Sequence, residues 1–225
     1  NRDITSQLAL VNRMLATNMA MMEQHSSELK QDGFTVLKSF IPHAEVPQLT
    51  QWVNEVGSDK TAWHHFETVD ADASKKALAR SEDFVHRHER LGNLILLQIP
   101  QVLENIVGEK VALYKEKINW KAPGGAGWVP HQDAPAYPEV PWNITVAIAV
   151  DPMTPKTGGL SFSEGAVHKQ RKFYEINSDG VISQEGVDKL VWRDVPMDAG
   201  DVLVFDSFAP HMSGTNLSTF PRRVI

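Results

Sequence analysis

Hydrophobic positions in the first half of the chain recur mainly at helical spacing. Over Ile4–Leu29 they fall three or four residues apart, which predicts an amphipathic helix that ends at Asp32-Gly33. The alternating stretch GFTVLKSF then predicts a strand, and the spacing predicts further helical segments over Pro42–Val56 and Phe84–Val107. The apolar positions that define the first helix are Leu8, Val11, Leu15, Met19 and Met22.

The pattern changes twice along the rest of the chain. Between Gly57 and Asp83 it is polar and without a period, which predicts a long loop or lid. From Val111 onward, short apolar runs are separated by Gly and Pro, which favours strands. We therefore expect a mainly β fold with flanking helices, as one domain over residues 1–225, with a helical part at 1–110 and a β core at 111–225. The predicted strands are VALYKEKINWK, WNITVAIAV, GLSFS, LVWRDV, DVLVF and RRVI.

Composition narrows the function classes. The 225 residues are 42% hydrophobic, yet no run approaches the ~20 apolar residues that a membrane-spanning helix needs. The N-terminus lacks the order of a signal peptide, so we expect a cytoplasmic protein. A net charge of -6 argues against nucleic acid as a partner and favours a small molecule. Since the chain has no cysteine, any metal must be held by His, Asp or Glu.

The stretch VPHQDAPAY presents the best pair of metal ligands. His131 and Asp133 are two residues apart, so on a strand both side chains point to the same face, and the flanking prolines stiffen the approach. A single His-x-Asp pair is weak evidence, because it arises readily by chance. Comparable pairs occur elsewhere, at His43-x-Glu45, His65-x-Glu67 and His86-x-His88, where a solvated surface is the simpler interpretation.

A third ligand is expected from a strand that neighbours this one in space. The run AGDVLVFDSFAP predicts a buried strand that leads to His211. His131, Asp133 and His211 together form the two-His, one-carboxylate set of non-haem Fe(II) oxygenases. Eleven residues further on, Arg222 lies in the apolar strand FPRRVI, where a guanidinium can bind a carboxylate through two hydrogen bonds. Only one of Arg222 and Arg223 can point inward, and the spacing favours Arg222.

These residues, with KEKINWKAPGGAGWVPHQD, TGGLSFSEGAVHK, AGDVLVFDS and PHMSGTN, resemble the phytanoyl-CoA dioxygenase family of Fe(II)/2-oxoglutarate oxygenases. The resemblance runs from about Val111 to the end of the chain. It implies a double-stranded β-helix (jelly roll) with N-terminal helices, and Fe(II), 2-oxoglutarate and molecular oxygen as cofactor and co-substrates. It also implies a role in 2-oxoglutarate binding for five residues: Arg222, Ser213, Lys117, Asn119 and Thr145. A surface position suits Lys117 equally well, and Thr145 is the weaker candidate for the co-substrate wall.

The resemblance implies hydroxylation of a C–H bond coupled to decarboxylation of 2-oxoglutarate. Related halogenases carry Gly or Ala where this chain has Asp133, so hydroxylation is favoured over halogenation. Two alternatives stay open: a non-catalytic cupin-like binding module, and a zinc hydrolase or isomerase, which would leave Arg222 and Ser213 without a role. Family members continue beyond the strand in which this chain ends, so we expect further residues after Ile225.

The substrate is expected to be small and polar. Basic groups are frequent in the segment predicted to cover the site, which suits an anionic or zwitterionic metabolite better than an acyl chain. The overall resemblance is to bacterial members that hydroxylate 2-aminoethylphosphonate beside its phosphorus, although no motif identifies phosphonate. Its ammonium group would need an acid such as Glu67 or Asp70. The basic residues are Arg80, His86, Arg87, His88 and Arg90.

Overall fold

Eleven strands and five α-helices occur in the part of the chain that the computed structural model describes, which is residues 19–68, 76–140, 142–165, 167–171 and 181–225. The first half of the predicted N-terminal helix lies outside these residues, and its second half is helical over 19–32 (α1). The other helices are α2 (Val46–Ser58), α3 (Glu89–Asn93), α4 (Ile99–Val107) and α5 (Gln184–Asp188). The strands are β1 (Phe34–Leu37), β2 (Trp63–Thr68), β3 (Lys76–Glu82), β4 (Lys117–Lys121), β5 (Trp128–His131), β6 (Ile144–Ile148), β7 (Leu160–Ser163), β8 (Trp192–Val195), β9 (Val202–Asp206), β10 (His211–Ser213) and β11 (Arg222–Val224).

The strands form a jelly roll, as predicted. Two groups, β1-β9-β6 and β11-β4-β3-β2, are joined into one large antiparallel sheet by a bridge between Ala149 and Val224 and by two hydrogen bonds between Ile148 and Ile225. The facing sheet has the order β5-β10-β7-β8. Two sheets that bury their inner faces against each other leave an opening at the ends of the strands, where side chains from both can meet.

Two hydrophobic clusters hold the layers together. One lies between the sheets and includes Phe34, Phe162 and Phe205. The other lies on the outer face of the large sheet, where α2 and the α3–α4 segment pack against Ile118 and Trp120 of β4. Because side chains alternate along a strand, the odd-numbered residues of β4 point the other way, towards the facing sheet. None of the helices in the described part is long and apolar enough to cross a membrane.

The prediction of a loop or lid between Gly57 and Asp83 is wrong for 63–68 and 76–82, which are strands, and 69–75 lie outside the described residues. Here β2 and β3 pair with each other, and β3 pairs with β4, so the segment widens the large sheet. Five of the six side chains of β2, WHHFET, are exposed, so its sequence carries no apolar alternation to reveal a strand. The predicted helical part at 1–110 therefore also contains β1, β2 and β3.

The helical segment predicted over Phe84–Val107 exists but is interrupted. Between α3 and α4 the chain makes one π-helical turn, Leu94–Gln98. Pro100, which has no backbone N–H, occupies the first turn of α4, where that N–H would have no helical partner. The helix therefore restarts after the π turn and continues to Gly108, whose left-handed conformation (φ 81°) ends it.

Candidate metal centre

The smaller sheet brings the two predicted histidine ligands face to face. His131, the last residue of β5, pairs directly with His211, the first residue of β10, and their ring centroids are 4.1 Å apart. Asp133 follows in the turn after β5, with helical backbone angles (φ -74°, ψ -33°), rather than on the strand itself as expected. From the turn, as it would from the strand, the carboxylate of Asp133 points towards the two histidines. His131, Asp133 and His211 form the metal-binding cluster of the described residues, with one ligand atom from each lying within 4.8 Å of the others.

Backbone carbonyl groups fix the orientation of both imidazoles. The Nδ1 atom of His131 lies 2.8 Å from the carbonyl oxygen of Val129, and that of His211 lies 3.0 Å from the carbonyl oxygen of Ala209. A carbonyl oxygen can only accept, so each Nδ1 carries the proton and each Nε2 presents a lone pair. The two Nε2 atoms lie 3.7 and 3.8 Å from Oδ1 of Asp133, and all three atoms therefore face one point.

The remaining contacts hold the carboxylate of Asp133 and keep the imidazole of His131 neutral. The hydroxyl of Thr145 on β6 donates to Oδ2 of Asp133 over 2.9 Å, which leaves Oδ1 directed at the histidines. Burial, and then the neighbouring His211, lowers the pKa of His131 to about 4. Its imidazole is therefore neutral at pH 7 and able to bind a metal without first losing a proton. Gln132 lies between the two ligands and points away, donating to the carbonyl oxygen of Phe208.

A buried cation lies at the opening between the sheets, on β11. Arg222 is only 4% exposed, and its Nη2 donates to the carbonyl oxygen of Gly158 over 2.8 Å. Its buried Nε has no hydrogen-bond partner among the described residues. Burial lowers the pKa of Arg222 to about 10, and Asp151 opposes this shift, so the group stays charged at neutral pH. A buried guanidinium with an unused donor fits a carboxylate ligand that approaches from the opening.

Two further side chains complete this cationic end of the opening. Lys121, opposite Arg222 in the register of β4 and β11, donates to the hydroxyl of Ser213 over 2.9 Å and to the carbonyl oxygen of Gly214 over 2.7 Å. Burial, followed by the nearby Arg222, lowers the pKa of Lys121 to about 7. Two basic side chains and a hydroxyl therefore converge here, a set of groups that suits a carboxylate. The donor set fits both Fe(II) and 2-oxoglutarate.

The residues predicted to bind 2-oxoglutarate do not include Lys121. They include Lys117 as the lysine with this role. Both lysines, with Asn119 between them, lie on the inner face of β4, and Lys117 is four residues away from the contact with Ser213. Burial lowers the pKa of Lys117 and the Asp133 carboxylate opposes this shift, so the charge of Lys117 acts on a metal ligand instead. The alternation KINWK marks all three inward positions, and that signal could have identified Lys121.

Of the basic residues expected around the site, Arg80 alone is shown on the inner face of the large sheet, where it pairs in register with Asn119. Arg87 forms an ion pair with Asp83, and His88 caps α3 and contacts Glu55 of α2, which places both in the helical layer. His86 and Arg90 are exposed. Glu67 is largely exposed, 3.6 Å from His65, and Asp70 lies outside the described residues.

The neighbouring arginine of β11 points away from the opening. Arg223 forms a two-point ion pair with Asp151, at 2.6 and 2.7 Å, and donates to Asn54 of α2. Because consecutive residues of a strand face opposite sides, this contact to the helical layer directs Arg222 inward. The sequence-based choice of Arg222 over Arg223 therefore agrees with the register of the strand.

Comparison with known proteins gives matches over most of the chain. Residues 29–224 match the model of the family described as phytanoyl-CoA dioxygenase (PhyH). A methylphosphonate hydroxylase from Gimesia maris is 38% identical over 92% of this chain and 80% of its own length. A 2-aminoethylphosphonate dioxygenase from an uncultured bacterium is 32% identical over 90% of this chain and 79% of its own length. The structure of EctD from S. alaskensis with 2-oxoglutarate and 5-hydroxyectoine has a TM-score of 0.74 at 18% identity, over 89% of this chain and 73% of EctD.

Proposed function

Because the chain belongs to the phytanoyl-CoA dioxygenase family and is an Fe(II)- and 2-oxoglutarate-dependent oxygenase, we propose that it hydroxylates the carbon next to phosphorus in a small organophosphonate. The observation that carries this proposal is the similarity to two enzymes of different phosphonate substrates, at 38% and 32% identity over at least 90% of the chain. We take residues 1–225 to act as one oxygenase domain, and a cytoplasmic location stays a prediction.

In this proposal His131, Asp133 and His211 hold the iron. The bound metal supplies the activation of oxygen that oxidises the substrate, and three protein ligands leave three positions open. The chain supplies geometry: Val129 and Ala209 hold the imidazoles through their carbonyl oxygens, and the Thr145 hydroxyl holds the carboxylate. Thr145 thus acts on a metal ligand, in addition to any contact with the co-substrate.

The distal carboxylate of 2-oxoglutarate binds Arg222, Ser213 and Lys121 in this proposal. The unused Nε of Arg222 supports it, since a carboxylate there would satisfy a buried donor and match the charge of the guanidinium. Asn119 lies on the inner face between the two lysines of β4, and we assign it a further contact with 2-oxoglutarate. The zinc hydrolase and the non-catalytic module have no use for two converging cations beside a metal centre.

The substrate proposal is tested by incubating the enzyme with Fe(II), 2-oxoglutarate and oxygen, and with methylphosphonate or 2-aminoethylphosphonate. We expect phosphorus NMR to show a new hydroxylated phosphonate, with succinate formed in equal amount. Methyl sulfate, which has no carbon bonded to phosphorus, is the control and should leave succinate formation at its background rate. If neither phosphonate stimulates succinate formation while another small polar metabolite does, the phosphonate proposal is wrong and the oxygenase assignment stands.

The depressed pKa of Lys121 predicts that 2-oxoglutarate binding weakens as the pH rises. In the free protein this ammonium loses its proton near pH 7, so above that pH a bound carboxylate must also draw a proton onto the lysine. We expect the dissociation constant to rise with pH above about 7, towards tenfold per pH unit. Titration calorimetry without oxygen at several pH values measures this. In Lys121→Met the affinity should be lower and nearly independent of pH; an unchanged pH dependence in that variant would rule out the role of Lys121.

A further inference from the structure

The inner face of β4 carries a lysine near each end of the opening. Lys121 contacts Ser213 beside Arg222, whereas Lys117 lies four residues earlier, which corresponds to about 13 Å along a strand. Ile118 and Trp120 pack against the helical layer, so Lys117 faces the smaller sheet, which carries His131, and its charge interacts with both Asp133 and His131. The two lysines therefore serve different parts of the opening, and the one beside the metal has no role in the binding of the distal carboxylate.

Lys117 shares the acid opposite it with two other cations. In the register of β3 and β4 it lies opposite Glu82, but Oε1 of Glu82 is already 3.1 Å from Nε of Arg80 and 3.2 Å from Nζ of Lys115. Lys117 itself forms no ion pair or hydrogen bond with any described residue. Glu82 therefore interacts with three cations, Arg80, Lys115 and Lys117, and this part of the inner face carries a net positive charge.

Arg80 is held in place from the side opposite the metal centre. Its guanidinium carbon lies 5.3 Å from the ring centroid of Trp63 on β2, and that indole is stacked on His65. A planar guanidinium on an aromatic ring keeps its edge free for hydrogen bonds to an oxyanion. Since Arg80 and Asn119 are directly opposite each other, Arg80 shares the inner face with Lys117.

We propose that Lys117 and Arg80 bind the phosphonate group of the substrate and thereby set the carbon next to phosphorus at the metal. The inference rests on the proposed function and adds to it the residues that recognise the anion. The carbon that is hydroxylated is bonded directly to phosphorus, so the phosphonate oxygens must lie within a few ångströms of the metal ligands. A cation that binds them must come from the inner face beside these ligands, where Lys117 is the cation of β4 whose charge acts on both Asp133 and His131.

A substrate as small as methylphosphonate depends on these cations for its orientation. Its only polar group is the phosphonate, so orientation depends on charged hydrogen bonds to that group, from a point charge at Lys117 and from the fork of Arg80. Lys115 serves as the matched control, because it contacts the same Glu82 over 3.2 Å whereas, of these two lysines, it is Lys117 whose charge acts on His131.

The test is titration of methylphosphonate into protein loaded with Fe(II) and 2-oxoglutarate without oxygen, followed by calorimetry. We expect Lys117→Gln and Arg80→Gln each to raise the dissociation constant for methylphosphonate by about 10- to 100-fold. The control Lys115→Gln, with the same change in net charge, should raise it by less than about threefold. The dissociation constant for 2-oxoglutarate, measured on the same three variants, should change by less than about threefold.

The results of these titrations distinguish failure of the anion site from failure of the proposed function. If Lys117→Gln binds methylphosphonate as the wild type does, or if it loses 2-oxoglutarate instead, the inference is overturned even when phosphorus NMR detects the hydroxylated product. Absence of methylphosphonate binding by the wild-type protein overturns it as well. If the wild type binds methylphosphonate through Lys117 and Arg80 but forms no hydroxylated product, the anion site stands and the proposed function fails.

Discussion

Replacing His131 or Asp133 by alanine is expected to abolish turnover and to weaken Fe(II) binding by more than about 100-fold. The estimate follows because the loss of a partner that only orients a metal ligand already costs about 10- to 100-fold. Neither side chain belongs to the hydrophobic clusters, so the fold should persist. Calorimetric titration with Fe(II) without oxygen measures the affinity, and circular dichroism and thermal unfolding measure the fold.

His211 needs a different substitution, because its ring packs against Phe162 and Phe205 at centroid distances of 5.4 and 4.8 Å. His211→Phe preserves an aromatic ring there while removing the ligand, and it should lose Fe(II) binding as fully as the other two variants. His88→Asn is the control, since asparagine can still cap α3 and this histidine is remote from the cluster. Near-normal turnover in any of the three ligand variants would show that the metal is held elsewhere.

Arg222→Ala is expected to raise the dissociation constant for 2-oxoglutarate by at least about 10- to 100-fold while leaving Fe(II) binding within about threefold of normal. A hydrogen bond between charged groups contributes about 1.5–3 kcal/mol, and here it forms to a guanidinium that is only 4% exposed. Separate calorimetric titrations with Fe(II) and with 2-oxoglutarate distinguish the two effects.

Replacing Arg222 or Arg223 by lysine distinguishes the roles of the two adjacent arginines. Arg222→Lys should restore only part of the affinity for 2-oxoglutarate, because an ammonium group cannot make the planar two-point contact. Arg223→Lys should lower thermal stability through its contact with Asp151 and leave 2-oxoglutarate binding unchanged. If Arg223→Lys loses 2-oxoglutarate and Arg222→Lys does not, the assignment of the inward-facing arginine is wrong.

The β core was predictable because its strands are apolar runs bounded by Gly and Pro, and the large buried strand β9 is the clearest example. The segment β2–β3 was not, since β2 is a largely exposed strand whose pairing, rather than its hydrophobicity, defines it. The hydrophobic pattern of a sequence indicates which residues are buried. A strand with few buried residues therefore cannot be recognised from that pattern.

Sequence spacing predicted the ligands His131, Asp133 and His211, but it did not predict their geometry. The carbonyl groups of Val129 and Ala209 set the imidazole tautomers, and Thr145 orients the carboxylate, through contacts that only the folded chain creates. For the same reason, the family resemblance pointed to Lys117 for the carboxylate end, whereas the pairing of β4 with β11 brings Lys121 to Arg222.

Labelling with ¹⁸O₂ tests most directly that this chain is a 2-oxoglutarate-dependent phosphonate hydroxylase. Enzyme, Fe(II), 2-oxoglutarate and methylphosphonate are incubated under ¹⁸O₂, and the products are analysed by mass spectrometry and phosphorus NMR. We predict one ¹⁸O atom in each succinate, ¹⁸O in the new hydroxyl group, and equal amounts of succinate and hydroxylated phosphonate. Succinate without the label, or a hydroxylated phosphonate that forms equally well without oxygen, would contradict the account.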